Sequence, residues 1–288
     1  KWMIAIGEQL FGMTPFGWRF SACVVGSLMV LVMFRLALRL TKTLWLASFA
    51  ALLLCFDGLH LVLSRLALLD IFLAFWILCA VAALVADRDW TRSRMARWDG
   101  VGNWGPLRGL WLRPWRLIAG ICFGMAIATK WSALYPLAAF GILVWLWDAG
   151  ARRRLGVRLS VLRSALVDAV PAFIHLVVVA AMVYLATWSG WLANANEYEK
   201  HLSSTQYTGF VEEGENCEHV SDDDATWPTA KEPDASGISE VTQSLRSLYY
   251  YHRDVYTFHT HYLNCSDHVY ESDPRGWLLL NRPVGVWV

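Results

Sequence analysis

Arg65, Asp70 and Lys130 stand at the ends of long apolar runs, and there the chain has residue types able to do chemistry. A charge near hydrocarbon costs roughly 2.5–3.5 kcal/mol at the bilayer centre on insertion scales, so it usually marks a path or a site. Arginine offers a planar fork of N–H donors that matches phosphate oxygens, and lysine a compact point charge. Two cations meeting on one face of a helix bundle would select an anionic ligand. Each residue also has a plainer reading. Arg65 can snorkel to the interface and Lys130 can anchor a span end. Asp70, five residues after Arg65 and off its helical face, can orient a partner or cap the next helix.

The elements that must position these residues are apolar. Hydrophobic residues make up 56% of the 288-residue chain and charged ones 17%, which is the composition of a polytopic membrane protein. The apolar runs cover about 19–40, 44–63, 68–86, 117–129, 133–147 and 165–188. Most approach the ~20 residues a spanning helix needs. The fourth and fifth are short and separated only by Lys130-Trp131-Ser132, so they read either as two short helices or as one broken element. Residues 2–16 read as an interfacial helix. The expected fold is therefore all-α, a polytopic bundle of about six spans over residues 1–192, followed by an extracytoplasmic segment over 193–288.

Orientation follows from arginine. Arg35, Arg39 and Lys42 follow the first run, seven arginines from Arg88 to Arg116 follow the third, and five from Arg152 to Arg163 precede the last. Short arginine-rich loops stay in the cytoplasm. Six alternating spans satisfy this without conflict and put 64–70, Lys130 and everything after about residue 190 outside. The net charge of +1 reflects segregated charge and speaks to orientation, not to nucleic acid. Trp18, Trp45, Trp115, Trp131, Trp145, Trp147, Trp188 and Trp191 sit near run ends, where interfacial anchors gather.

In the outer segment, residues 203–240 are acidic and poor in apolar residues, and read as a mobile insertion. Periodicity returns over 241–262, where Leu245, Leu248, His252, Tyr256 and His259 fall on one helical face. Cys23, Cys55, Cys79 and Cys122 act as small hydrophobes within apolar runs. Cys217 and Cys265 would form a disulfide if their region is extracytoplasmic, with two unpaired thiols as the alternative. His259-x-His261 is compatible with zinc, but no third ligand stands at a specific spacing, and no metal is expected. His175 reads as a satisfied bundle histidine. Asp57 lies near the outer end of its span and either lines the site or is held by a turn. Asn264-Cys265-Ser266 fits a glycosylation triplet.

Three blocks carry a family resemblance. The first is Ser64-Arg65-Leu66-Ala67-Leu68-Leu69-Asp70. The second runs Gly120, Gly124, Ala126 and Thr129-Lys130-Trp131-Ser132. The third joins Ser244-Leu245-Arg246-Ser247-Leu248, Tyr251-His252, Phe258-His259-Thr260-His261, His268, Tyr270 and Ser272 to Gly276-Trp277-Leu278-Leu279 and Asn281-Arg282-Pro283. In this order they resemble the protein O-mannosyltransferases, most closely their actinobacterial branch, over nearly the whole chain except the acidic insertion.

The resemblance implies a glycosyltransferase of the GT-C superfamily in the cell membrane, with its active face outside. Its donor would be polyprenyl-phosphate-mannose and its acceptors Ser or Thr of secreted or envelope proteins, with inversion at the sugar. It assigns Arg65 and Lys130 to the donor phosphate and makes Asp70 the end of the same motif. With the helical face it offers His252, His259, Trp277 and Arg282 as cleft residues. The family's catalytic Asp-Glu pair would lie upstream of Lys1, so this chain by itself is expected to be inactive.

Physical chemistry fits the same reaction. Hydroxyl attack on an anomeric carbon needs a general base, and the departing phosphate gains charge that fixed cations stabilise. A lipid-borne donor accounts for the lack of a Gly-rich turn after a strand. The alternatives are a related transferase acting on a glycolipid and a transporter with Arg65 and Lys130 on an anion path. A transporter would carry ionisable residues at several depths, whereas the sequence gathers its candidate charges at one face.

Overall fold

The computed structural model describes residues 2–97, 104 and 105, 112–202 and 226–262, and among these it is helical throughout with no strand. The chain divides into two units, residues 1–187 and 188–288.

The first unit is a bundle of apolar helices. Helix α1 (Trp2–Phe11) lies on α2 (Pro15–Thr41). A Cβ at Gly7 would stand 2.2 Å from the Gly17 carbonyl oxygen, so the two backbones approach only through glycine. Helix α2 starts where the Thr14 hydroxyl accepts from the Gly17 N–H at 3.1 Å, with Pro15 in its first turn. It stops at Lys42, in the left-handed region at φ 58°, whose N–H returns to Leu38. Helices α3 (Leu44–Phe56) and α4 (Gly58–Arg65) form one apolar run bent by 60°. The bend has a local cause: Asp57 is extended, and its Oδ1 accepts from the His60 N–H at 2.7 Å to cap α4.

Helix α5 (Leu69–Met95) and α6 (Pro114–Thr129) pack side by side. Lys130 then breaks the chain with extended backbone (φ −157°, ψ 133°), one 3₁₀ turn follows, and α7 (Leu134–Arg154) begins. The fourth and fifth apolar runs are thus two helices. The last run comprises α8 (Ser160–Phe173), a π turn (Ile174–Val178) and α9 (Val179–Thr187). The π turn comes three residues after Pro171, which has no N–H to give its own helix.

Among the described residues, four segments are long and apolar enough to cross a membrane, and the bent α3–α4 pair, taken as one span, makes a fifth. Helix α6 has 16 residues, a rise of about 24 Å against a hydrocarbon core of about 30 Å. The six expected spans therefore resolve into five of spanning size and one short helix. The short one is closely packed. A Cβ at Gly120 would fall 1.8 Å from the His175 carbonyl oxygen, and one at Gly124 2.7 Å from that of Ala180. Two glycines four apart put α6 backbone-to-backbone against the π turn and α9, the small-residue contact that membrane helices favour.

One finding corrects the reading of the loop arginines. Arg113 and Arg116, counted from sequence as loop arginines, are 2% and 1% exposed. Arg113 donates through Nε to Asp87 at 3.0 Å and through Nη1 to Asp148 at 3.1 Å. Arg116 donates through Nη2 to Asp148 at 2.7 Å and through Nε to Asp87 at 3.2 Å. Arg152 makes a forked pair with Asp168, both bonds 2.8 Å, and the Ser164 hydroxyl adds a third at 2.7 Å. These ions tie α5, α6, α7 and α8 together at the arginine-rich end. Each buried carboxylate is enclosed by guanidinium groups in bonded geometry, which is the arrangement of a clamp and not of an ion path.

The second unit holds α10 (Ser189–Ala193), α11 (Ala195–Leu202), α12 (Pro228–Lys231) and α13 (Ile238–Thr257), the last ending in a π turn (Phe258–Tyr262). Its core is aromatic: Trp191 stacks on Tyr198 at 5.2 Å and packs against Tyr251 at 4.8 Å and Trp227 at 6.1 Å. Part of the stretch expected as a mobile insertion is folded here. Trp227 is 2% exposed, Gln243 accepts from the Ala235 N–H at 3.0 Å, and Arg246 takes Glu232 with two bonds of 2.9 and 2.7 Å. A buried indole and a forked ion pair hold 226–240 despite its acidic composition. The expected cysteine pair, Cys217 and Cys265, lies outside the described residues, as do Trp277 and Arg282.

Candidate functional site

Helix directions bring the sequence candidates of the first unit to one end of the bundle. Asp70 is in the first turn of α5, and Lys130 follows the last residue of α6. Ala22 and Val25 of α2 pack with Ile71 and Phe72 of α5, so the start of α2 belongs to the same end.

The pairing differs from the one expected. Lys130 Nζ donates to Asp70 Oδ1 at 3.0 Å, with the two side chains 54% and 45% exposed. Asp70 does not cap its helix, whose cap position is Leu68 with no side-chain bond; it orients the lysine. Arg65, the last residue of α4, instead lines a pocket of about 360 Å³ with Pro15, Phe16, Arg19 and Cys23. Arg65 is exposed, and among the described residues no carboxylate stands within ion-pair distance of it. Asp57 is an exposed helix cap. The sequence reading did not single out Arg19, because it opens an apolar run and a lone arginine there reads as an anchor.

A larger cavity lies elsewhere. It is an apolar groove of about 710 Å³ between α7 and α8, and Arg65, Asp70 and Lys130 are not among its lining residues. Its walls carry nothing to recognise a charged group beyond Asp148 and Asp168, which the arginine clamps already occupy.

In the second unit, the expected face of α13 divides. Leu248 is 4% exposed, but Leu245 and Tyr256 are 44% and 60% exposed, and the buried side runs through Gln243, Ser244, Ser247, Asp254 and Thr257. The Trp227 indole donates to Asp254, and that bond fixes which side turns inward. His252 Nδ1 donates to Leu248 O at 2.7 Å and the ring packs 5.0 Å from Trp188; His259 Nδ1 donates to Val255 O at 2.8 Å and the residue is exposed. Both imidazoles thus spend Nδ1 on their own helix. Glu199 is 1% exposed with no partner for either oxygen among the described residues. A carboxylate buried in that condition calls for water or a cation.

Burial pushes the His252 imidazole below its ordinary value of 6.5, partly offset by its bond to Leu248. The neutral ring is the folded form, so its contribution to stability is complete above about pH 6.5 and is lost as pH falls through the lower folded value. Asp254 runs the other way: burial raises it, against the bonds from Trp227 and Arg253, so its contribution is complete below its ordinary value and lost as pH rises. The difference in thermal midpoint between the full-length protein and its His252→Phe variant should therefore shrink from about pH 7.5 to about pH 5. Tryptophan fluorescence would follow it, and a difference constant with pH would remove the assignment.

The fold is that of a multi-pass helical membrane protein, with guanidinium and ammonium groups exposed at one end of its bundle. The family model for dolichyl-phosphate-mannose-protein mannosyltransferases matches residues 1–196; the chain belongs to that family. A polyprenol-phosphate-mannose–protein mannosyltransferase of Mycobacterium tuberculosis is 32% identical over 291 residues, covering 99% of this chain and 50% of the relative. Its counterpart in Mycolicibacterium smegmatis is 35% identical over 294 residues, covering 99% and 51%. An undecaprenyl phosphate-alpha-4-amino-4-deoxy-L-arabinose arabinosyl transferase of Pseudomonas aeruginosa is 32% identical over 171 residues, covering 59% and 28%. The chain spans about half the length of the mannosyltransferases it matches. No solved structure matches it.

Proposed function

We propose that this chain forms part of an enzyme that moves mannose from polyprenyl-phosphate-mannose to Ser or Thr hydroxyls of exported proteins, at the outer face of the cell membrane. The observation that carries the reading is the family match, which spans both charged motifs of the bundle. The names of the relatives support the donor: mannosyl and arabinosyl transferases alike are named for a sugar carried on a polyprenol or undecaprenyl phosphate.

The chemistry asks the bundle for one thing above all. As the acceptor oxygen attacks the anomeric carbon, the bond to the phosphate oxygen breaks and negative charge builds on the phosphate. Fixed cations lower that barrier. Arg65 offers two parallel N–H donors with no competing carboxylate among the described residues. Lys130 offers a charge that Asp70 already holds in place, so its ammonium need not be ordered again when the lipid arrives. Asp70 is a positioning residue. It is engaged with Lys130, and Asp57 is committed to its helix cap; the proton of the acceptor hydroxyl is not assigned to either.

The rival reading keeps the donor and changes the acceptor to a glycolipid. Incubating the full-length enzyme with radiolabelled polyprenyl-phosphate-mannose and either a Ser/Thr-rich peptide or a glycolipid separates the two. Label in the peptide is the expected outcome; label in the glycolipid alone would reject the protein acceptor.

A further inference from the structure

We propose that α13 lies in the membrane interface, with an apolar stripe of the helix set among lipid acyl chains and its core side turned to its own unit. The partner of the stripe is the bilayer surface, and the proposal is independent of which donor or acceptor the enzyme uses.

Ile238, Val241, Leu245, Tyr249 and Tyr256 recur at three-, four- and seven-residue steps, which places them on one face of the helix. All five are exposed, from 44% to 90%. The buried residues Gln243, Ser247 and Asp254 occupy the opposite face. A surface helix of a soluble protein does the reverse, burying its apolar stripe and turning polar side chains outward. Rotation cannot correct the inversion. Trp227 donates to Asp254, and Gln243 accepts from the Ala235 N–H at 3.0 Å, so the polar side is bonded into its own unit.

Chain continuity says what the stripe meets. The apolar segment Ser160–Thr187 is long enough to cross a membrane and ends at Thr187. The next residue, Trp188, packs its ring against α13, 5.6 Å from Tyr251 and 5.0 Å from His252. The middle of α13 is therefore one ring contact away from the point where the chain leaves the bilayer. Charge decides that the helix lies on the membrane and does not span it: its 20 residues include Glu240, Arg246, Arg253 and Asp254. Thr242, Arg246 and Arg253 form the row beside the stripe. Both arginines have carboxylate partners, Glu232 and Asp254, and both side chains remain nearly half exposed. That is the placement of an arginine whose stem covers apolar surface while its head reaches the headgroups. Two tyrosines on the stripe itself are residues that favour the same depth.

The test replaces Tyr249 and Tyr256, one at a time, by p-azidophenylalanine, a close match in size. The full-length enzyme is reconstituted in nanodiscs of phosphatidylcholine and phosphatidylglycerol and photolysed, and mass spectrometry of its peptides reads what each azide has met. Glu240, exposed in the first turn of α13 and off the stripe, takes the same replacement as the control. Lipid adducts at both tyrosine positions, roughly ten-fold above those at Glu240, are the expected result. Thermal midpoints check folding, and the same replacement at Val241 stands in for either tyrosine variant if it is unstable.

Products with water alone would overturn the proposal, as would cross-links to other peptides of the enzyme, which would show the stripe covered by protein. Lipid adducts that disappear on addition of a Ser/Thr-rich peptide, with the peptide captured instead, would assign the face to the acceptor and overturn it too. Equal lipid adducts at Glu240 would show that α13 has no preferred side toward the membrane, and the proposal would fail.

Discussion

Arg65→Ala in the full-length enzyme should lower kcat for mannose transfer by about 10²–10³-fold, the loss seen when one preorganised donor to a developing oxyanion is removed, or about 2.7–4 kcal/mol of barrier. The size of the effect follows from what Arg65 lacks. It ends α4, is exposed, and among the described residues has no carboxylate within ion-pair distance, so its donors are available to the ligand. The same freedom predicts a small effect on stability, because no interaction of the folded protein is lost. Arg65→Lys should recover only part of the rate, since an ammonium restores the charge but not the paired donors. Initial rates with saturating donor, set beside thermal midpoints in detergent, check the expectation. Turnover close to wild type would remove Arg65 from the phosphate.

Asp148→Ala should produce the opposite pattern, with stability lost first. Asp148 is 3% exposed and receives Arg113 and Arg116, which are themselves buried. Removing it leaves one aspartate, Asp87, for two buried guanidinium groups, and breaking a buried pair from one side costs about 3–5 kcal/mol. Asp89 provides the control on the same helix. Its pairs with Arg88 at 3.0 Å and Arg39 at 3.8 Å are both partly exposed to solvent, so Asp89→Ala should cost about 1 kcal/mol or less. The yield of folded, monodisperse protein and its thermal midpoint would rank the two variants. Equal midpoints would show that the buried cluster does not hold the bundle.

The two ends of the bundle handle charge by different rules, and the sequence shows only one of them. Arg113 and Arg116 sit among loop arginines and read as topology signals. Nothing local distinguishes them from Arg88 or Arg97, because their partners lie 26 to 35 positions away on other helices. Aspartates 87 and 148 are equally silent as single residues near span ends. Their burial became visible only when α5, α6 and α7 were brought together.

Three breaks have local causes that the sequence reading passes over or leaves open. Thr14-Pro15 starts a helix inside the stretch read as one interfacial element, Asp57-Gly58 bends a run read as continuous, and Lys130 separates two runs whose division that reading leaves open; each acts through its own backbone and its next few neighbours. Two family motifs, read in order, identified the residues of the charged end. The partition of those residues was another matter. Lys130 goes to Asp70, and Arg65 shares a pocket with Arg19. That choice depends on the Gly26–Ser64 contact, which joins residues 38 positions apart.

By itself the sequence determined a helical membrane protein of about six apolar segments, its charged motifs and its family. These rest on periodicity, composition and short spacings, which every residue carries with it wherever it goes. The tertiary structure alone decided which cation meets which anion, which arginines are clamps, and which face of α13 turns inward. Electrostatic pairing and close packing depend on distances between chain-remote atoms, and those distances exist only once the helices have packed.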